Sequence, residues 1–178
     1  MTPLVLIFIL NLMMHNRNPY RLVVPLLLTL FIILSSCNAE DSIERQIKKL
    51  NLKYRIDSEG DYRVQVIIPE NRNVEVGVST HTESLEKNVR VREIWSVAVR
   101  IPGKLPEGLA ENLLRDSWST RKFGSWALAG TTSDGKQVLV YISRIPESSS
   151  VKVLHAAMMD TAESARGLHD ALSELEGE

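Results

Sequence analysis

The chain has 178 residues and 44% hydrophobic residues, which suffice for one folded domain with a buried core. Its formal net charge is -1 at pH 7, and because the first 36 residues carry two arginines and no acidic residue, the remainder is slightly acidic. This balance excludes the strongly basic surface of a nucleic-acid-binding domain. The chain contains one cysteine, which excludes an internal disulfide and a cysteine-rich zinc site.

The N-terminal region contains two apolar runs, Pro3–Met14 and Leu22–Leu34, separated by an arginine-containing polar stretch. Neither run reaches the roughly 20 apolar residues that span a bilayer. The second run has the features of a signal peptide, because arginines precede it and small residues follow it. We therefore interpret residues 1–36 as a signal peptide, with Met13 or Met14 as alternative translation starts.

The end of this segment, Leu34-Ser35-Ser36-Cys37, resembles the lipobox of bacterial prolipoproteins. In that motif the cysteine thiol receives a diacylglycerol and cleavage leaves the cysteine at the new N-terminus, chemistry that needs a nucleophilic thiolate. The resemblance predicts lipidation at Cys37, a tether over residues 37–41 and a domain over residues 42–178. It implies a lipid anchor in the cell envelope, and Asn38 favours the outer membrane facing the periplasm in a Gram-negative cell. The alternative is an uncleaved apolar anchor with an incidental cysteine.

Hydrophobic periodicity predicts the elements of the domain. Residues Tyr62, Val64, Val66 and Ile68 alternate as in a half-buried strand, whereas the polar segment Ser79–Lys87 predicts a loop. In chain order we expect a helix over 41–50, strands over 62–68, 74–78 and 89–101, a helix over 105–118, strands over 123–130 and 137–145, and a helix over 151–175. These predict an α+β fold of order α-β-β-β-α-β-β-α, with helices packed on a single antiparallel sheet of about five strands.

The third predicted strand contains the longest alternating pattern in the chain. Its valines and Trp95 are in phase with one another, which predicts a core face. Arg90, Arg92 and Arg100 fall out of phase with them and are predicted to share a solvent-facing surface. Such a surface suits an acidic or amphipathic peptide, although an ordinary solvated sheet face is the alternative.

Several local sequences resemble a known family: Leu105-Pro106-Glu107 before the middle helix, Leu113-Leu114 within it, and Phe123-Gly124 with Gly135-Lys136-Gln137-Val138-Leu139-Val140-Tyr141 in the hairpin. They are similar to the YbjN-type sensory transduction regulators, which share the fold of type III secretion chaperones. The resemblance extends from about Ile43 to Leu175. It implies a protein-binding, adaptor or regulatory module with no catalytic residues to carry over.

Chemical motifs are sparse beyond the signal segment. Ser79, His81 and Glu83 alternate, but side chains at that spacing on a strand project in parallel and do not form a hydrogen-bonded chain. We predict no metal, no cofactor and no nucleic-acid partner. The expected partners are the membrane, through Cys37, and another envelope protein, with a homodimer left open. Alternatives are an envelope hydrolase built from scattered carboxylates and His81, and a carrier of an apolar ligand between the last helix and the sheet.

Overall fold

The computed structural model describes residues 41–176. Its elements, in chain order, are α1 (Asp41–Lys49), β1 (Tyr54–Ile56), β2 (Tyr62–Ile68), a 3-10 turn (Pro69–Asn71), β3 (Arg72–Glu86), β4 (Val89–Pro102), α2 (Leu109–Ser119), β5 (Gly124–Thr131), β6 (Lys136–Pro146) and α3 (Val151–Glu176). The predicted signal peptide and Cys37 lie outside the described residues, as does the tether before Asp41.

The described chain divides into two compact units, and the boundary along the sequence falls within α1, between Arg45 and Gln46. The first contributes only residues 41–45 to the description. The second, from Gln46 onward, holds all six described strands in one antiparallel sheet of order β1-β2-β3-β4-β6-β5. The prediction of an α+β fold with a single antiparallel sheet is therefore confirmed.

One face of the sheet packs against α3, and we call it the helix face. Across this interface the Ser143 hydroxyl lies 2.9 Å from the Thr161 hydroxyl, so two buried polar groups satisfy each other. Around them Leu154, Met158 and Tyr141 are almost completely buried. Burial of side chains of this size, about 1.5–3 kcal/mol each for the aliphatic ones, is the main force that holds α3 on the sheet.

Two differences from the predicted strands concern segments with exposed side chains. The structure has a sixth strand, β1, whose three residues are too few to show a period of two. The segment Ser79–Lys87, predicted as a loop, instead continues β3 to Glu86 and turns back into β4 at Asn88, which has a φ of 70°. Because most side chains between Thr80 and Glu86 are solvent-exposed, no apolar alternation marks this ribbon as a strand.

The predicted helix caps and turns agree with the structure better than the predicted strands do. Ser150 caps α3, accepting a hydrogen bond on its hydroxyl from the Val153 amide at 3.3 Å. The turn at Asp134-Gly135 joins β5 to β6, and Gly135 has the positive φ of 81° that favours glycine. Helix α2 begins at Leu109, later than predicted, because Gly108 adopts a left-handed conformation immediately before it.

Candidate partner-binding surfaces

The three arginines of β4 do not share a solvent-facing surface, so that prediction is wrong. The side chain of Arg92 is only 5% exposed, whereas that of Arg90 is 55% exposed. Arg100 is exposed but lies beyond an irregularity in the strand. Partner binding by Arg90 or Arg100 stays a prediction, but Arg92 cannot contact a partner where it lies.

A β-bulge at Ala98 separates Arg100 from the other two arginines. In the register between β4 and β6, Val97 pairs with Val140, and Val99 pairs with Leu139. Two steps along β4 therefore match one step along β6, which reverses the alternation of the side chains beyond the bulge. Arg90 and Arg92 therefore lie on the helix face of the sheet, and Arg100 lies on the opposite face.

The same register reverses the predicted core face in the middle of β4. Ile94, Ser96 and Ala98 are buried on the helix face, while Trp95 is partly exposed on the other. Trp95 lies over Gly77 of the neighbouring strand, where a Cβ atom would fall 2.3 Å from the indole, and the Arg63 guanidinium stacks 5.0 Å from the ring. This stacking explains how a tryptophan is accommodated outside the core.

Arg92 holds an irregular part of β3 in place. Its guanidinium donates a hydrogen bond to the carbonyl oxygen of Ser79 and lies 4.0 Å from the Glu147 carboxylate. Burial lowers the pKa of Arg92, which the Glu147 carboxylate partly offsets. The register of β3 shifts at this point, between Val78 and Thr82. Arg92 therefore satisfies backbone that the regular ladder leaves unpaired.

The arrangement around His81 gives no support to a hydrolase. The Ser79 hydroxyl donates to the buried Asp61 at 3.2 Å, without a histidine between them. The Nδ1 atom of His81 lies 3.4 Å from the Thr80 hydroxyl, and no carboxylate of the described chain bonds to its ring. A serine nucleophile needs a base bonded to it, so this is a structural cluster at the β3 irregularity. Nor do His, Cys, Asp or Glu side chains group as metal ligands anywhere in residues 41–176.

A second polar cluster joins α2 to the sheet. The carboxylate of Asp116 accepts hydrogen bonds from the Trp126 indole N–H at 2.7 Å and from Arg121 at 2.6 Å. The Arg121 guanidinium lies 5.6 Å from the ring centres of both Trp126 and Tyr141. Burial, together with the nearby Asp160 carboxylate, raises the pKa of Tyr141 to about 12, so its hydroxyl stays a donor at neutral pH. These contacts make Trp126 a core residue.

Helix α2 presents two large apolar side chains to solvent. Trp118 is 92% exposed and Leu114, one turn earlier on the same side, is 68% exposed. The buried side of the same helix is formed by Leu113, which packs with Trp126. Tryptophan is one of the residue types enriched at the hot spots of protein interfaces, and Leu114 lies beside it as an apolar neighbour.

A cleft of about 300 Å³ opens where β3 and β4 diverge. Their pairing ends at Gly77 and Trp95, and beyond that point the first part of β3 pairs only with β2 and the last part of β4 pairs only with β6. Helix α3 contributes to its wall, and the aromatic and charged side chains that line it are Arg63, Glu75, Trp95, Arg100, Arg166 and His169.

The sequence matches no protein-family model and no curated protein. Among the described helices, none is both long and apolar enough to cross a membrane.

Sequence reasoning missed both the exposed apolar pair and the cleft. The pair had a signal, because Leu114 and Trp118 are four residues apart on a side of α2 that does not include Leu109 and Leu113. The cleft had none, since it depends on where two strands stop pairing.

Proposed function

We propose that this chain is a bacterial lipoprotein, with residues 1–36 as its signal peptide and the lipid on Cys37. The observation that carries the proposal is the order of an apolar run, two serines and the single cysteine. From Cys37 to the start of α1 at Asp41 the chain spans at most about 14 Å when fully extended, at about 3.5 Å per residue. Lipidation would hold the domain close to the envelope membrane, and we place it at the outer membrane facing the periplasm.

The domain is proposed to bind another envelope protein without catalysis, as an adaptor or chaperone. The exposed pair Leu114 and Trp118 supports this, because two large apolar side chains next to each other on one helix face can be buried together by a partner. The arrangement of helices around an antiparallel sheet also agrees with the proposed likeness to the YbjN-type regulators and type III secretion chaperones.

Replacing Cys37 by Ala is expected to abolish incorporation of radiolabelled palmitate and to leave a larger, uncleaved precursor. The reason is that no other thiol exists in the chain to take the diacylglycerol. The matched control is Ser36→Ala, which keeps a small residue before the cysteine and should be labelled normally. Wild-type labelling of the Cys37→Ala chain would rule out this anchor.

A photo-crosslinking amino acid placed at position 118 is expected to capture one defined envelope protein in intact cells. Trp118 is the most exposed large apolar side chain in the described part of the chain, so a partner anchored there lies within reach of the probe. The control places the same amino acid at the exposed Glu163 of α3. The proposal requires the same protein to be captured from position 118, and not from position 163, in independent cultures; identical products from both positions would contradict it.

A further inference from the structure

Along the cleft β3 and β4 no longer pair with each other, although one side-chain hydrogen bond still crosses between them. The carbonyl of Glu75 points toward β4, where the Ser96 hydroxyl donates to it at 2.8 Å in place of a strand amide. Backbone groups two residues apart on a strand point to the same side, so Asn73 on β3 and Val97 on β4 also direct theirs into the gap. In the described part of the chain no strand pairs with Arg72–Val76 on this side. The gap is therefore bounded by two short strand edges.

The charges around the cleft are predominantly positive, but most are already paired. Arg63 contacts Asp57 at 2.7 Å, Arg166 contacts Asp170 at 2.7 Å, and the Glu75 carboxylate contacts an arginine of β1 at 3.1 Å. Arg100 is different, because it makes no ion pair with any residue from 41 to 176. The cleft thus offers one guanidinium whose charge the described fold does not neutralise.

The geometry points to a binding site for an extended acidic peptide segment of a partner protein, with its backbone along the strand edges beyond the Ser96–Glu75 hydrogen bond and a carboxylate on Arg100. This inference rests on the proposed protein-binding function and names the chemistry of the partner. An extended chain fits because it supplies alternating donors and acceptors at strand spacing, which a small anion does not. An acidic side chain fits because a guanidinium binds a carboxylate with two parallel hydrogen bonds. The Trp95 indole supplies an apolar wall for the intervening side chains.

The test uses the full-length chain in detergent and a fluorescent synthetic peptide of alternating glutamate and valine. Fluorescence anisotropy should show saturable binding that weakens as salt is added, because ionic attraction is screened. Arg100→Ala should weaken binding about tenfold, the effect of losing one charge-assisted contact. The matched control is Arg115→Ala, an exposed arginine of α2 that pairs with Glu111 and does not line the cleft.

Two further ligands test the contribution of the peptide backbone and the contribution of charge separately. A peptide of alternating glutamate and proline keeps the charge but lacks half of the amide donors, and it should bind more weakly. Free citrate should compete only poorly. The inference is overturned if Arg100→Ala binds as the wild type does, if the proline peptide or citrate binds equally well, or if no peptide binds. None of these outcomes alters capture from position 118, so failure of the cleft is distinguishable from failure of the proposed function.

Discussion

Replacing Arg92 by Ala is expected to lower the free energy of unfolding by about 3 kcal/mol. The substitution leaves the Ser79 carbonyl without its donor and removes the cation that faces Glu147, in a place where the arginine side chain is only 5% exposed. It also removes the buried aliphatic stem of the side chain. The measurement is equilibrium urea unfolding of the chain from Asn38 to Glu178, followed by circular dichroism.

The control for Arg92 is Arg90→Ala, two residues earlier on the same strand. The side chain of Arg90 is 55% exposed and contacts Glu147 at 3.4 Å in solvent. Exposed ion pairs of this kind contribute little, so the change should stay within about 0.5 kcal/mol. Equal effects of the two substitutions would show that Arg92 is not the buried group that the register implies.

Replacing Gly124 by Ala is expected to cost about 3 kcal/mol. An added Cβ would lie 2.2 Å from the carbonyl oxygen of Ile142 and 2.7 Å from the hydroxyl of Ser143. The first of these is a backbone atom of the paired strand β6, so relief requires β5 to move, and such overpacking typically costs about 1–3 kcal/mol or more. Urea unfolding of the same chain, from Asn38 to Glu178, measures the loss.

Gly167→Ala is the control for Gly124→Ala, and its expected effect on the free energy of unfolding has the opposite sign. It lies within α3, and no heavy atom outside its own helix turn comes within 4 Å of an added Cβ. Alanine there should stabilise the chain by about 0.5–1 kcal/mol, because glycine loses more backbone entropy in a helix. Destabilisation by both substitutions would mean that the Gly124 effect is not a specific steric one.

The parts of the fold that the sequence predicts well are those where burial creates a pattern. In β2 every second residue from Tyr62 to Ile68 is buried, and the period of two is visible in the sequence. In β4 both faces carry apolar residues, so the pattern alone does not identify the face that packs against α3. The bulge at Ala98 then changes the phase, which no local pattern records. The exposed end of β3 is not predicted for the opposite reason: its side chains bury too little apolar surface to create a pattern.

The same distinction between local and long-range information applies to the candidate site residues. The lipidation prediction for Cys37 depends on neighbouring residues only, and such a motif is readable in the sequence. The exposure of an arginine depends instead on what covers its strand, and for Arg92 that is Glu147 and the β3 irregularity. Long-range contacts of this kind have no sequence signature in a single chain.

The divergence of β3 and β4 also bears on how the chain folds. The hairpins β1–β2, β2–β3, β3–β4 and β5–β6 join neighbouring segments, so each can form by closing a short loop. Pairing of β4 with β6 is different, because it brings Pro102 to Lys136 across all of α2 and β5. That step carries the largest loop-closure entropy among these strand pairings and should limit the folding rate. Since the last part of β4 pairs with β6 alone, it has no partner strand until this slow step is complete.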